Sequence, residues 1–105
     1  MDKKYVARQL ALVVRNIQKG FREPVGINIK MDSEFDINSD IIDMDEYYIC
    51  LENYGYEFNF FKSVTHFKGR KITWSLNIYL TDIIKNIPDK RVREYLCSMN
   101  QKNSQ

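Results

Sequence analysis

Residue types that commonly perform catalysis are scarce in this chain of 105 residues, which contains one histidine, His66, and two cysteines, Cys50 and Cys97. A Cys50–His66 pair on neighbouring strands would supply a nucleophile and its base. However, both cysteines lie among apolar neighbours, which favours buried, reduced thiols. His66 lies beside a predicted hairpin tip, where a solvated or hydrogen-bonded side chain is expected. We therefore predict structural roles for all three.

Metal and phosphate sites are not indicated by the spacing of the polar residues. The chain has no H-x-x-x-H or C-x-x-C zinc spacing and no G-x-x-x-x-G-K phosphate loop. Acids at 32, 34 and 36 begin like a calcium loop, but the glycine at the sixth position is missing and Asp43 replaces the bidentate glutamate at the twelfth. The sequence predicts a protein that is not an enzyme and needs no cofactor.

The charges are strongly segregated along the chain. Residues 1–30 have net charge +5, residues 31–61 contain nine acids and no Lys or Arg, and residues 62–105 have net charge +6, although the whole chain is only +2. One interpretation is that the acidic centre pairs internally with the two basic ends. The other is that it presents a negative surface to a basic partner. The sequence leaves both open.

The acidic centre also contains tyrosines, which are favoured at interfaces because they combine a large rigid area with a polar tip. A core of this size cannot hold all seven tyrosines of the chain. We therefore take the following as candidate partner-binding residues: Asp32, Glu34, Asp36, Asp40, Asp43, Asp45, Glu46, Tyr47, Tyr48, Tyr54 and Tyr56.

Hydrophobic spacing predicts an N-terminal helix over 3–20. Gly20 is expected to end it in the left-handed conformation, with Pro24 beyond. The buried stripe of this helix is predicted to contain Val6, Leu10, Val13, Val14, Ile17 and Phe21.

Alternation with a period of two predicts strands over 25–31, 56–67 and 72–80, with a hairpin connection at 68–71. The stretch 36–52 fits either a helix capped by Ser39 or Asp40 or a strand from about residue 45. The Tyr-Tyr-Ile sequence favours the strand. Residues 45–80 then form an antiparallel meander of three strands, with 25–31 as a fourth.

Helical spacing returns near the C-terminus. Thr81 can cap a short turn, and Pro88 suits the first position of a last helix, whose apolar stripe is Val92, Tyr95, Leu96 and Met99. The prediction is a single α+β domain over 1–105, with an N-terminal helix, an antiparallel β-meander of three to four strands, and C-terminal helices packed on one face.

An alternative fold follows from Asp40-Ile41-Ile42-Asp43 and EYYICLEN, which together resemble the Asp-Ser-Leu-Asp motif and following helix of acyl carrier proteins. The resemblance implies an acyl-carrier-like helical bundle. Ile41 stands where the carrier needs a hydroxyl for its phosphopantetheine arm, so carrier chemistry is not expected. The alternation through 72–80 also fits such a bundle poorly.

A nucleic-acid-binding or regulatory function is the alternative suggested by KGRK at 68–71 and DKRVRE at 89–94. Basic side chains beside aromatic strands can bind single-stranded nucleic acid. The nine acids would repel phosphate, and the pI of about 8.5 lies below the strongly basic range.

The small size, the lack of catalytic groups, the α+β meander, the run MDSEFDINSDIIDMDEYY and the Lys/Asn/Ile/Tyr-rich composition resemble bacterial immunity proteins encoded beside contact-dependent growth inhibition toxins. The resemblance implies a cytoplasmic protein that binds one cognate toxin domain, basic and nuclease-like, and blocks its active site. The absence of a signal-peptide pattern or a membrane-spanning apolar run agrees with that expectation. A secretion chaperone or regulator is a third class of function that the sequence leaves open.

Overall fold

The computed structural model describes residues 1–21, 26–30, 40–53, 66–67, 70–71 and 75–103. These residues form a mixed helix-and-strand architecture of four helices and four short strands. In chain order the elements are α1 Lys3–Lys19, β1 Gly26–Lys30, α2 Met44–Asn53, β2 His66–Phe67, β3 Arg70–Lys71, β4 Ser75–Tyr79, α3 Leu80–Lys85 and α4 Lys90–Asn103.

Helix α1 confirms the predicted N-terminal helix. It begins after Asp2, whose side chain accepts a hydrogen bond from the N–H of Lys4 at 3.0 Å, a common N-cap arrangement. The small residues Ala7 and Ala11 widen its buried stripe, whereas Phe21 is 38% exposed and was wrongly assigned to that stripe. Gly20 has a right-handed conformation with φ −70°, so the left-handed end was also a wrong prediction. Its N–H instead bonds to the carbonyl of Ile17 at 3.2 Å.

Strands β1 and β4 form a parallel pair, with Ile27 opposite Leu76 and Ile29 opposite Ile78. The predicted alternation is confirmed, because Ile27 and Ile29 are buried and their two partners pack partly against the core. The antiparallel arrangement predicted for 25–31 is wrong. Parallel neighbours need a long crossover connection, and the chain between these strands contains α2.

Residues 44–53 form helix α2, so the strand predicted from about residue 45 is wrong. The helix begins where Asp43 supplies an N-cap and where Tyr47 can be buried against α1. This cap and this packing stabilise the helix by more than the β-propensity of Tyr-Tyr-Ile stabilises a strand. The helix after the Asp40–Asp43 motif agrees with the carrier resemblance locally, but Ile41 is buried.

The hairpin connection predicted at 68–71 is wrong in its extent, because Arg70 and Lys71 form β3. This strand pairs antiparallel with β2, with His66 opposite Lys71 and Phe67 opposite Arg70. The rest of the predicted strand 56–67 and residues 72–74 lie outside the described residues. Within the described residues the strands therefore form two pairs, one parallel and one antiparallel, rather than a meander.

The C-terminal helices follow the predicted pattern with shifted ends. Helix α3 begins at Leu80 after Tyr79 rather than after Thr81, and Leu80 is its first buried side chain. Pro88 precedes α4 instead of opening it, since Asp89 caps this helix: its side chain accepts the N–H of Arg91 at 2.9 Å. The predicted stripe of α4 is confirmed, with Val92 and Leu96 fully buried.

The core gathers side chains from α1, β1, α2, α3 and α4, and from the segments just before α2 and α4. Among the described residues, no helix has the length and apolar character required to cross a bilayer. The buried apolar residues are Val6, Ala7, Leu10, Ala11, Val13, Val14, Ile27, Ile29, Ile41, Ile42, Tyr47, Leu80, Ile83, Ile84, Ile87, Val92 and Leu96.

Candidate partner-binding surface

Contacts from two other helices hold the segment that leads into α2. The N–H of Asp43 donates to the carbonyl of Lys3 in α1 at 3.4 Å. The hydroxyl of Tyr95 in α4 donates to the carbonyl of Ile41 at 3.2 Å, and Ile41 and Ile42 are both buried. These contacts fix the backbone of residues 40–43 against the core.

Asp43 starts helix α2 rather than facing a partner. Its carboxylate accepts the N–H of Glu46 at 2.9 Å, and its carbonyl accepts the N–H of Tyr47 at 3.0 Å. Asp45 and Glu46 follow in the first turn, where the positive end of the helix dipole favours negative charge. Part of the acidic centre is therefore explained by the needs of a helix N-terminus.

Glu46 is paired internally. The Nε of Arg8 in α1 donates to its Oε1 at 2.7 Å, and only 18% of the Glu46 side chain is exposed. The thiol of Cys50 lies 4.0 Å from the same oxygen. The hydrogen bond from Arg8 to Glu46 raises the pKa of that guanidinium. An arginine of the basic N-terminal part therefore neutralises Glu46, and the assignment of Glu46 to a partner surface stays a prediction.

Tyr47 is a core residue. It is 0% exposed, and burial raises the pKa of its phenol well above the ordinary value. Its ring meets that of Tyr48 edge to face, with the centroids 5.7 Å apart and an interplanar angle of 65°. Tyr48 is only half-buried. The assignment of Tyr47 to a partner surface is wrong, whereas Tyr48 retains an accessible part.

Among the α2 side chains that the structure describes, residues 44–50, one acid and one large apolar residue are exposed. Asp45 is exposed, and Ile49, four residues later on the same face, is 51% exposed. We call Asp45, Tyr48 and Ile49 the outer α2 face. Asp40 is exposed just before the helix. The other candidates, Asp32, Glu34, Asp36, Tyr54 and Tyr56, lie outside the described residues.

The basic motif of α4 is occupied by contacts within the protein. The Nη2 of Arg91 lies 3.1 Å from Oδ2 of Asp89, and Lys90 lies 3.7 Å from Glu94. Arg93 donates to the carbonyls of Ile87 and Pro88 and so fixes the connection between α3 and α4.

Asp89 also joins α4 to α1. The hydroxyl of Tyr5 donates to its Oδ2 at 2.7 Å. Hydrogen bonds from Arg91 and then from Tyr5 hold the pKa of the Asp89 carboxyl well below its ordinary value. The same contact raises the pKa of Tyr5.

The cysteines do not form an activated site in the described residues. Burial, followed by the nearby Glu46 carboxylate, raises the pKa of the half-buried Cys50 thiol. Cys97 is exposed, so the expectation of two buried thiols is wrong for this residue, and both cysteines are free. The side chain of His66 lies outside the described residues. Among those that are described, no three His, Cys, Asp or Glu side chains are grouped to hold a metal ion.

Three features of the site were not predicted from the sequence, and only the first of them has a local signal. D-x-x-E at 43–46 is a helix-start signature, but Ser39 and Asp40 were considered as caps instead. Ile49 was placed in a strand, and its exposure follows only once 44–53 is helical. The link from Tyr5 to Asp89 spans most of the chain and has no local signal.

Comparison of the chain with protein-family models, with curated proteins and with solved structures finds no significant match in any of the three.

Proposed function

We propose that this protein is a non-catalytic cytoplasmic binding protein of the immunity type, which binds a cognate toxin domain and blocks its active site. The observation that carries the proposal is the exposure of Asp40, just before α2, and of Asp45, in its first turn. The buried Tyr47 anchors this helix. Two carboxylates on a fixed base suit recognition of a basic protein surface.

The chemistry of a nuclease explains why such a surface would inhibit it. A nuclease site attracts phosphate with positive charge, and carboxylates placed there compete for the same groups. The acidic stretch 31–61, which has no Lys or Arg, would also steer association. Among the described acids of this stretch, Asp40 and Asp45 are the exposed ones, and the proposal assigns recognition to them on that ground.

The state of the Cys50 thiol argues against this residue as a nucleophile. A nucleophilic cysteine needs a lowered pKa because the thiolate is the reactive form, whereas the pKa of Cys50 is raised by burial. The thiol is therefore protonated at neutral pH.

The test uses the toxin domain encoded by the adjacent upstream reading frame. We expect a 1:1 complex by size-exclusion chromatography and calorimetry, together with protection of cells that express the toxin. The double variant Asp40→Lys/Asp45→Lys should bind at least about tenfold more weakly, because close charge pairs at interfaces contribute more than about 1.4 kcal/mol.

Asp82→Lys is the matched control, because Asp82 is also an exposed acid in the first turn of a helix, α3. This variant should retain wild-type affinity. A wild-type protein that neither binds nor neutralises the toxin domain contradicts the proposed function, and equal affinity for the double variant removes the two acids from it.

Nucleic-acid binding, through the basic hairpin and α4, is the competing proposal. The pairing of Arg91 with the mostly buried Asp89 weighs against it, because a paired cation has less charge to offer phosphate. Retention of labelled RNA or DNA in a gel assay, with a steep dependence on salt, would favour this alternative.

A further inference from the structure

We infer that Ile49 is the apolar anchor of the toxin interface, and that the toxin domain presents an apolar recess bordered by Lys or Arg side chains to the outer α2 face. This inference rests on the proposed function and identifies the part of the partner that is recognised.

The exposure of Ile49 is the first step of the argument. Ile49 is 51% exposed, whereas Tyr47, two residues earlier on the same helix, is 0% exposed. The two side chains therefore lie on opposite sides of α2, one facing the core and the other facing solvent. Single exposed apolar residues are common on protein surfaces. Ile49, however, lies one helical turn after the exposed Asp45 and directly after the half-buried Tyr48.

This arrangement matches the anatomy of protein interfaces. Their binding energy is concentrated in a few apolar or aromatic side chains near the centre, surrounded by a polar rim. In the outer α2 face, Ile49 and the accessible part of Tyr48 would form such a centre, and Asp45 would belong to the rim. Burial of Ile49 in a recess removes apolar area from water, which the acids alone cannot provide.

The contacts beneath α2 make the anchor rigid before binding. The cap at Asp43, the bond from Arg8 to Glu46 and the buried ring of Tyr47 fix the start and inner side of the helix. A preorganised surface loses less conformational entropy on association. These three contacts therefore position the anchor.

Charge complementarity selects the occupant. A second copy of this chain, docked symmetrically through this face, would bring Asp45 toward its own equivalent, and like charges oppose such a contact. Nucleic acid would be repelled by the same carboxylate. A cationic protein surface is the occupant that both Ile49 and Asp45 favour.

The experiment measures the affinity of the full-length protein for the toxin domain from the upstream reading frame, by surface plasmon resonance. Ile49→Ser should weaken binding at least about tenfold, mainly through faster dissociation, because loss of an anchor acts on the dissociation rate. Tyr79→Ser is the matched control: Tyr79 is 53% exposed, on β4. This control should change the affinity less than about threefold.

Circular dichroism and urea unfolding of each variant separate folding from binding, and both should match the wild type because both side chains are more than half exposed. If the wild type binds and Ile49→Ser binds equally well, the anchor is refuted while the proposed function stands. If the wild type does not bind, the proposed function fails together with the anchor. Self-association of the wild type that Ile49→Ser abolishes would identify a second copy as the occupant and overturn the inference.

Discussion

At the scale of single residues, the Asp89 side chain makes several specific contacts. It caps α4, pairs with Arg91 and accepts the hydroxyl of Tyr5 from α1. One carboxylate thus joins the first and last helices of the chain. Only 15% of its side chain is exposed. Since the hydroxyl of Tyr5 donates to this carboxylate, replacing Asp89 leaves that hydroxyl without an ionised acceptor.

We predict that Asp89→Asn and Tyr5→Phe each lower the urea midpoint of unfolding. The double variant should lose less stability than the sum of the two single losses. Residues that share one hydrogen bond show coupling in a double-mutant cycle. Asp82→Asn, at an exposed acid, serves as the control. Additive effects of the two changes would contradict the coupling seen in the structure.

The pH dependence of this contribution has a definite sign. Since the folded-state pKa of Asp89 lies below its ordinary value of 3.8, the stability it contributes is complete above that value and is lost as the pH falls toward the folded-state pKa. The difference in unfolding free energy between the wild type and Asp89→Asn should therefore be smaller at pH 3 than at pH 6. A constant difference would show that the ionised carboxylate is not responsible.

At the scale of elements, α2 shows where sequence reasoning succeeds and where it fails. The apolar stripe of α1 was predictable because 17 residues repeat one helical period. Over 44–53 the aromatic and β-branched residues fit both the helical period and the period of two of a strand. The helix is selected by the cap at Asp43 and by burial of Tyr47 as α2 packs on α1. The second of these is tertiary, so no local pattern determines it.

Tyr47 should contribute most to the attachment of α2. We predict that Tyr47→Ala lowers the free energy of unfolding by about 3 to 5 kcal/mol, the usual cost of removing a fully buried aromatic ring. Tyr47→Phe keeps the ring and should cost far less. Urea unfolding measures both, and a Tyr47→Ala variant as stable as the wild type would contradict the burial of this ring.

The cap of α2 can be tested separately from its packing. Asp43→Ala should lower the free energy of unfolding by about 1 kcal/mol, because it removes the acceptor of the Glu46 N–H. Asp45→Ala, in the same turn but exposed, should cost less than about 0.5 kcal/mol, through the helix dipole alone. Equal effects would mean that Asp43 does not act as the cap.

At the scale of the whole molecule, the segregated charges are partly reconciled by folding. Arg8 of the basic N-terminal part neutralises Glu46 of the acidic centre, whereas Asp40 and Asp45 are exposed. Internal pairing therefore accounts for part of the acidic centre, and the partner-facing interpretation of the exposed acids stays a prediction. Sequence patterns identified the buried side of β1 and β4, but strand direction was not predictable, because alternation is the same in parallel and antiparallel sheets.

The remaining negative charge should govern the rate of complex formation. We predict that the association rate constant with the toxin domain falls as the NaCl concentration rises from 50 to 500 mM, because salt screens long-range attraction. The dissociation rate should change much less. Stopped-flow fluorescence measures both, and an association rate independent of salt would argue against electrostatic steering.

The central claim, that the outer α2 face contacts the toxin domain, is tested most directly by the isoleucine methyl NMR spectrum of the protein. On titration with the toxin domain, the account predicts that the Ile49 signal, assigned with Ile49→Val, shifts or broadens, while the signals of the buried Ile83 and Ile87 change little. An Ile49 signal that stays unchanged at saturating toxin domain would contradict the account.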